Sequence, residues 1–326
     1  MTNQFPIKKF IFLYLIGCAC ILLSIFSSEI TPYGRDYSEY LYAYGNIDNV
    51  RFEFLFKQLF NFGQEYLKLN LNIFLIFVIF STLSIKVYVA QKLSLDITKF
   101  LLFFFSYILT FFLLHEMVQF RISIALSLVL LSCYTLCQGR FYLSLVLVLL
   151  GSYFHLSVIL FFVLPVTYFY YRKFGFTHYI IISSVVAAFL FFVVPKLTDL
   201  ILGVRPSALG YLENWNNYEV VYISLSTSII YCYLLFGFIL TKSARSENQN
   251  ICFIYAYFSL LIALVFSFIP EVAIRYFDIC AAISLYLFVV VKEKLNLSYI
   301  LFLLFYLLLV SYRIVGFIFY KPLFVF

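Results

Sequence analysis

The chain has 326 residues, 65% of them apolar and only 11% charged, with a mean hydropathy of +1.03. Soluble domains carry about 25% charged residues, so the composition excludes a soluble fold although the length would suit two such domains. A net charge of +7 with no basic run leaves no electrostatic footprint for nucleic acid. The chain reads as an all-α, polytopic membrane protein forming a single integral membrane domain over 1–326.

A crossing needs about 20 apolar residues. On that ruler the runs predict spans near 10–28, 70–90, 98–114, 121–138, 141–154, 156–171, 178–195, 220–241, 251–269, 275–291 and 297–316, about eleven with a range of 10–12. The run 141–171 is too long for one helix and short for two at about 1.5 Å per residue. It reads as two short crossings, or a re-entrant hairpin, turning near Gly151–His155. The lipoprotein-like Leu15-Ile16-Gly17-Cys18 is a chance match, because the apolar run continues to Ile25 instead of opening into a polar start. No cleaved signal peptide is expected either, and neither a repeat of 20–50 residues nor an inverted symmetry occurs.

If the spans alternate, the twelve basic residues Lys8, Lys9, Lys86, Lys92, Lys99, Arg140, Arg172, Lys173, Lys242, Arg245, Lys292 and Lys294 share one side with only three acidic ones. The other side keeps 10 basic and 12 acidic residues. The first side, with the N-terminus, is therefore expected to be cytoplasmic, and the outer loops lie at about 29–69 and 196–219. The aromatic fraction of 22% fits an AT-rich coding bias, so tyrosine clusters are not binding surfaces by number alone. The seven cysteines all fall in apolar stretches without a C-x-x-C, so disulfides and a cysteine zinc site are not expected.

Polar chemistry collects on the outer side. In the first loop Pro32 and Gly34 mark a turn that sets Arg35, Asp36, Tyr37 and Tyr40 just above the membrane. Residues 51–68 then read as an interfacial amphipathic helix, with Phe52, Leu55, Phe56, Leu59, Phe60 and Leu67 on one face and Glu53, Lys57, Asn61, Gln64 and Lys68 on the other. Tyrosine rings beside carboxylates suit a sugar, as they suit an aromatic belt.

Further along, His115-Glu116 precedes Arg121, which opens a helix where dipole and guanidinium both favour an anion; a snorkelling arginine or a pair with Glu116 is the plainer reading. His155 is the histidine deep in an apolar region, fit to hydrogen-bond a phosphate or sugar oxygen, or simply a helix-end carbonyl. Glu271, Arg275 and Asp278 share a helix at ion-pair spacing. Loop 196–219 adds Arg205, Tyr211, Glu213 and Trp215 as a cover, and Arg313 inside the last span is expected to face the bundle interior. Soluble catalytic signatures and a D-x-D pair are missing, so outward chemistry without metal or other cofactor is expected.

These residues, in this order, resemble the EpsG-like, Wzy-type polymerases of bacterial surface polysaccharides. The features are Asp36-Tyr37-x-x-Tyr40, Glu53-Phe54, Arg121-Ile122-Ser123-Ile124-Ala125, Phe154-His155-Leu156-Ser157 and Arg275-Tyr276-Phe277. The likeness covers roughly 1–290. It departs at Ile122, where family members often carry Gln.

The resemblance implies a GT-C-like glycosyltransferase in the bacterial inner membrane. It would move a growing glycan from undecaprenyl diphosphate onto the next lipid-linked repeat unit, during O-antigen, capsule or exopolysaccharide synthesis. The lipid-linked oligosaccharide would be donor and acceptor, with membrane lipid and a chain-length regulator as further partners. In that chemistry Arg121 and Arg275 would hold the diphosphate and His155 would bond or protonate the leaving oxygen. Asp36, with Glu53 second, would accept the acceptor's proton; Arg35, Tyr37, Tyr40 and Arg205 would meet the glycan. An O-antigen ligase, a flippase or transporter of the same lipid, and a non-catalytic scaffold are the alternatives.

Overall fold

The computed structural model describes residues 5–34, 36–46, 52–204, 224–244, 246–292 and 296–320. Among these the chain is helical throughout. It runs α1 (Phe5–Ile30), a 3-10 turn (Thr31–Tyr33), α2 (Tyr37–Gly45), α3 (Phe54–Asn61) with a π-turn (Phe62–Tyr66), α4 (Leu71–Leu93), and α5 (Ile97–Tyr107) widening into a π-helix (Ile108–Glu116). Then follow α6 (Phe120–Cys137), α7 (Phe141–Phe154), a 3-10 segment (Leu156–Phe162), α8 (Val163–Phe174), α9 (Phe176–Val204), α10 (Leu225–Ala244), α11 (Glu247–Val265), α12 (Pro270–Val290) and α13 (Leu297–Val315).

Nine of the described helical stretches are long and apolar enough to cross a membrane. The other two of the eleven expected spans are α7 and the 3-10 segment with α8. α7 has 14 residues, about 21 Å against roughly 30 Å of hydrocarbon. At that length α7 is too short to cross alone.

Local chemistry sets the helix ends. Asn70, Asp96 and Asn296 accept hydrogen bonds from the backbone N–H groups of Ile73, Lys99 and Tyr299 at 2.9, 2.8 and 2.9 Å, the N-cap arrangement that satisfies an orphan donor. Gly139 and Gly175 turn the chain between α6 and α7 and between α8 and α9 with φ of +70° and +83°, where a side chain would be strained. Within the apolar helices, the buried Ser24, Thr82 and Thr110 return their hydroxyls to carbonyls of the preceding turn, so these hydroxyls are satisfied inside their own helices.

The core lies along α12, α11 and α6. In the first two, 72% of the spanning window is buried, against 11% in α9, which is a rim helix carrying Val185, Phe189 and Phe192 outward. α9 also runs on through Pro195 to Val204, so the loop expected to begin at 196 starts later. Residues 205–223, with Arg205, Tyr211, Glu213 and Trp215, lie outside the described residues, as does Arg35.

The first loop departs from its expected form. Its helix is shorter, and its apolar face meets protein instead of lipid. Phe52, Phe56 and Phe60 are buried against Tyr40, Tyr44, Phe74 and Phe120, with ring centroids 4.5–6.4 Å apart. A helix packed this way is pulled down into the bundle. Leu67, assigned to the same face, is past the helix and exposed.

Candidate functional site

Glu53 is the N-cap residue of α3, and its carboxylate is where three separate elements meet. Arg121, in the first turn of α6, donates to one oxygen at 3.1 Å. The other oxygen faces His155 Nδ1 at 3.2 Å and the Leu156 backbone N–H at 3.3 Å. His155 is the C-cap of α7, so the short helix brings it to this level and the 3-10 segment after it supplies the backbone donor. The Arg121 guanidinium lies over the Phe52 ring, 4.3 Å from its centroid, a cation–π contact. Glu39 approaches Arg121 from the open side at 3.9 Å.

The electrostatics follow from these contacts. Burial would raise the Glu53 pKa, but the bond from His155 and the Arg121 charge outweigh it and hold the carboxyl at about 2, below its ordinary 4.5. The Tyr40 phenol is bonded to Arg121, yet burial pushes it up to about 12. The charges of Asp36 and Glu39 act on Tyr40 in the same direction, so Asp36 stands near this group. Side-chain exposure is 23% for Arg121, 20% for Glu53 and 11% for His155: a recessed site, open enough for a ligand. Tyr37 reaches Asn72 at 2.7 Å.

The structure therefore brings Glu53, Arg121, His155, Tyr40 and Asp36 into one region. Arg275 stands on α12 beside Tyr276, whose hydroxyl donates to the Ser157 carbonyl, two residues from His155. That puts the second turn of α12 against the 3-10 segment that follows His155. Of the triad expected on α12, Asp278 pairs with Arg313 of α13, and the side chain of Glu271 lies outside the described residues. Arg313 does face inward, as expected.

Glu116 also differs from its plainer reading. It pairs with Lys86 of α4 at 2.5 Å, not with Arg121. Tyr107 and Ser123 hydroxyls complete its hydrogen bonds at 2.9 and 3.0 Å, and Lys86 also donates to Ser123 at 2.9 Å. Lys86, counted above with the flanking lysines, is buried inside the bundle. Arg121 and Ser123 are two residues apart, hence on roughly opposite faces of α6, so one helix start serves the site and the buried pair together. His115 is buried against Phe111 with ring centroids 5.5 Å apart.

Glu39, Phe52 and the Leu156 N–H are partners that sequence reasoning missed; only the adjacency of Phe52 to Glu53 hinted at them. Farther along α6, the Cys133, Cys137 and Cys252 sulfurs all lie within 4.8 Å of one another, which no local cysteine motif announced. The chain was compared with curated proteins and with solved structures, and neither comparison gave a match. A model of the EpsG family, in contrast, matches residues 13–324, taking in every element of the site. The chain belongs to the EpsG family, and its general role is that of a polysaccharide polymerase.

Proposed function

We propose that the protein extends a surface polysaccharide by moving a growing glycan from a lipid diphosphate onto the next lipid-linked repeat unit at the outer leaflet, with its N-terminus in the cytoplasm. The observation that carries this is Glu53 held between Arg121 and His155. In the resting site Glu53 occupies the cation that a phosphate would take. A donor diphosphate, with more charge, competes for Arg121 and for the Leu156 N–H, and Arg275 on α12 adds a second guanidinium. Once His155 and Arg121 turn to the phosphate, Glu53 loses the bond and the charge that held its pKa down and becomes a base.

The step then balances. The acceptor hydroxyl attacks the anomeric carbon and its proton passes to Glu53. The bond from that carbon to the diphosphate oxygen breaks, and the electron pair leaves with the diphosphate. Arg121 stabilises the departing charge in a recessed, low-dielectric site, and His155 hydrogen-bonds the same oxygens. This ordering prefers Glu53 to Asp36 as base, because Glu53 is the carboxylate that contacts both Arg121 and His155. Tyr37, Arg35 and Arg205 remain the proposed glycan contacts, whereas Tyr40, expected among them, is buried against Phe52, Phe56 and Phe120 and supports Arg121 instead.

The test is complementation of a deletion strain, reading surface polysaccharide on gels. Wild type should restore a ladder. Arg121→Ala and Glu53→Gln, present at normal level, should leave single repeat units, with turnover down about 100-fold or more, while Asp36→Asn should keep a shortened ladder. A ladder restored by Arg121→Ala would overturn the diphosphate role. A deletion that leaves finished polymer on its carrier lipid would make the protein a ligase.

A further inference from the structure

Three thiols converge at the end of α6 remote from Arg121. Cys133 and Cys137, four apart, sit on one face of α6, and Cys252 meets them from the second turn of α11. The Cys133 and Cys252 sulfurs are 3.9 Å apart, and all three lie within 4.8 Å of one another. Cys133 and Cys252 are buried. A cysteine used as a small core hydrophobe disposes of its S–H locally, as Cys280 does on the Ala256 carbonyl at 3.3 Å. Cys133 and Cys252, by contrast, have each other.

The triangle has the dimensions of a coordination site. A point equidistant from three sulfurs at these separations is about 2.3–2.8 Å from each, close to the roughly 2.3 Å of a zinc–thiolate bond. At 3.9 Å the sulfurs are far too distant for a disulfide, which needs about 2.05 Å. Two neighbouring oxygens are engaged: the Tyr171 hydroxyl by Asn250 at 3.0 Å, and one oxygen of the Glu247 carboxylate by Tyr168 and Arg172 at 3.0 and 2.7 Å. Three sulfurs in one triangle suit a thiophilic ion held by thiolates alone, whereas structural zinc takes a fourth ligand in a tetrahedron. A small apolar pocket lies alongside, lined by Leu136, Tyr168, Tyr171, Ile251 and Tyr255, the chain neighbours of Cys137 and Cys252 among them.

We propose that Cys133, Cys137 and Cys252 bind one soft, three-coordinate cation of the cuprous type, tying α6 to α11. Each thiol that becomes a ligand releases its proton to solvent as the metal–sulfur bond forms. In the orientation proposed above the site is at the cytoplasmic end, where thiols stay reduced. The site is about 18–24 Å along α6 from Arg121, so its role is to fix the helix that carries the catalytic arginine.

The test uses the full-length chain in detergent, anaerobically with ascorbate, titrated with cuprous ion against bicinchoninate. One ion per chain should be withdrawn from the chelator, and Cys252→Ser and Cys137→Ser should each lose at least 10-fold in affinity while Cys280→Ser does not. In the unmutated chain, cuprous ion should protect the half-buried Cys137, but not the half-buried Cys18, from N-ethylmaleimide, read by mass spectrometry; this arm does not depend on any variant folding. A wild type that takes no more copper than the triple serine variant, or no protection of Cys137, would overturn the site. A parallel zinc titration that saturates while cuprous ion is refused would overturn the three-coordinate assignment.

Discussion

At the scale of single residues, Glu53 joins stability to the site. Its carboxyl is held at about 2 in the folded chain against an ordinary 4.5, so the stabilisation it brings is complete above the unfolded value and lost as pH falls between those two. The thermal midpoint of the purified protein should therefore drop between about pH 5 and about pH 3 by more than that of Glu53→Gln; parallel curves would deny the tie. The Lys86–Glu116 pair is a sharper case. Removing one partner of a buried pair costs about 3–5 kcal/mol, whereas an apolar replacement of both is often neutral. Lys86→Met and Glu116→Leu should each destabilise by that order, and the double variant should recover most of it in a denaturation cycle. Glu53, Arg121 and His155 were each legible as candidates, Glu53 on the polar face of a first-loop helix, Arg121 at a helix start and His155 deep in an apolar run. Their meeting was not, because 68 and 102 positions separate Glu53 from its two partners and only tertiary packing closes such loops. Lys86 was misplaced for a related reason: in sequence it looks like Lys92 and Lys99, and nothing local signals a carboxylate 30 positions on.

At the scale of elements, the first loop depends on how tightly α3 and its π-turn dock. A Cβ at Gly63 would stand 2.4 Å from Phe74 Cδ2 and 3.0 Å from the Tyr44 hydroxyl. Phe74 is itself locked between Tyr44 and Phe60, with both centroids at 5.5 Å, so it has nowhere to go. Gly63→Ala should cost about 1–3 kcal/mol and lower polymer formation, because α3 positions Glu53. At Gly237 the nearest atom is a terminal methyl of Leu287 at 2.8 Å, which can rotate aside, so Gly237→Ala should cost under about 1 kcal/mol. Chemical denaturation of the two variants side by side checks the ranking. The spans themselves were legible because a run of about 20 apolar residues has few other uses. The docking of α3 was not: an apolar stripe at helical spacing reads alike whether lipid or protein covers it. The widening of α5 over Ile108–Glu116 was equally hidden, since extra residues per turn leave no mark in composition.

For the whole molecule, the proposed orientation makes a simple demand. In a chain stripped of its other cysteines, Asp36→Cys and Arg275→Cys should react with an impermeant maleimide on intact cells, while Lys92→Cys and Lys292→Cys should react only after permeabilisation; the reverse pattern would invert the topology. The short α7 has a further effect on what surrounds the protein. Tyr142, Leu143, Val146, Leu149, Leu150 and Tyr153 point away from the bundle along it, an apolar flank about 21 Å tall set in a film of about 30 Å. Lipids cannot leave a gap of that height, so on this flank the acyl chains must splay and the leaflet must dimple. A headgroup in such a dimple rides several ångströms deeper than its neighbours, at the level of His155. The bilayer's own elasticity would thus lower a tethered phosphate toward the site before any side chain touched it.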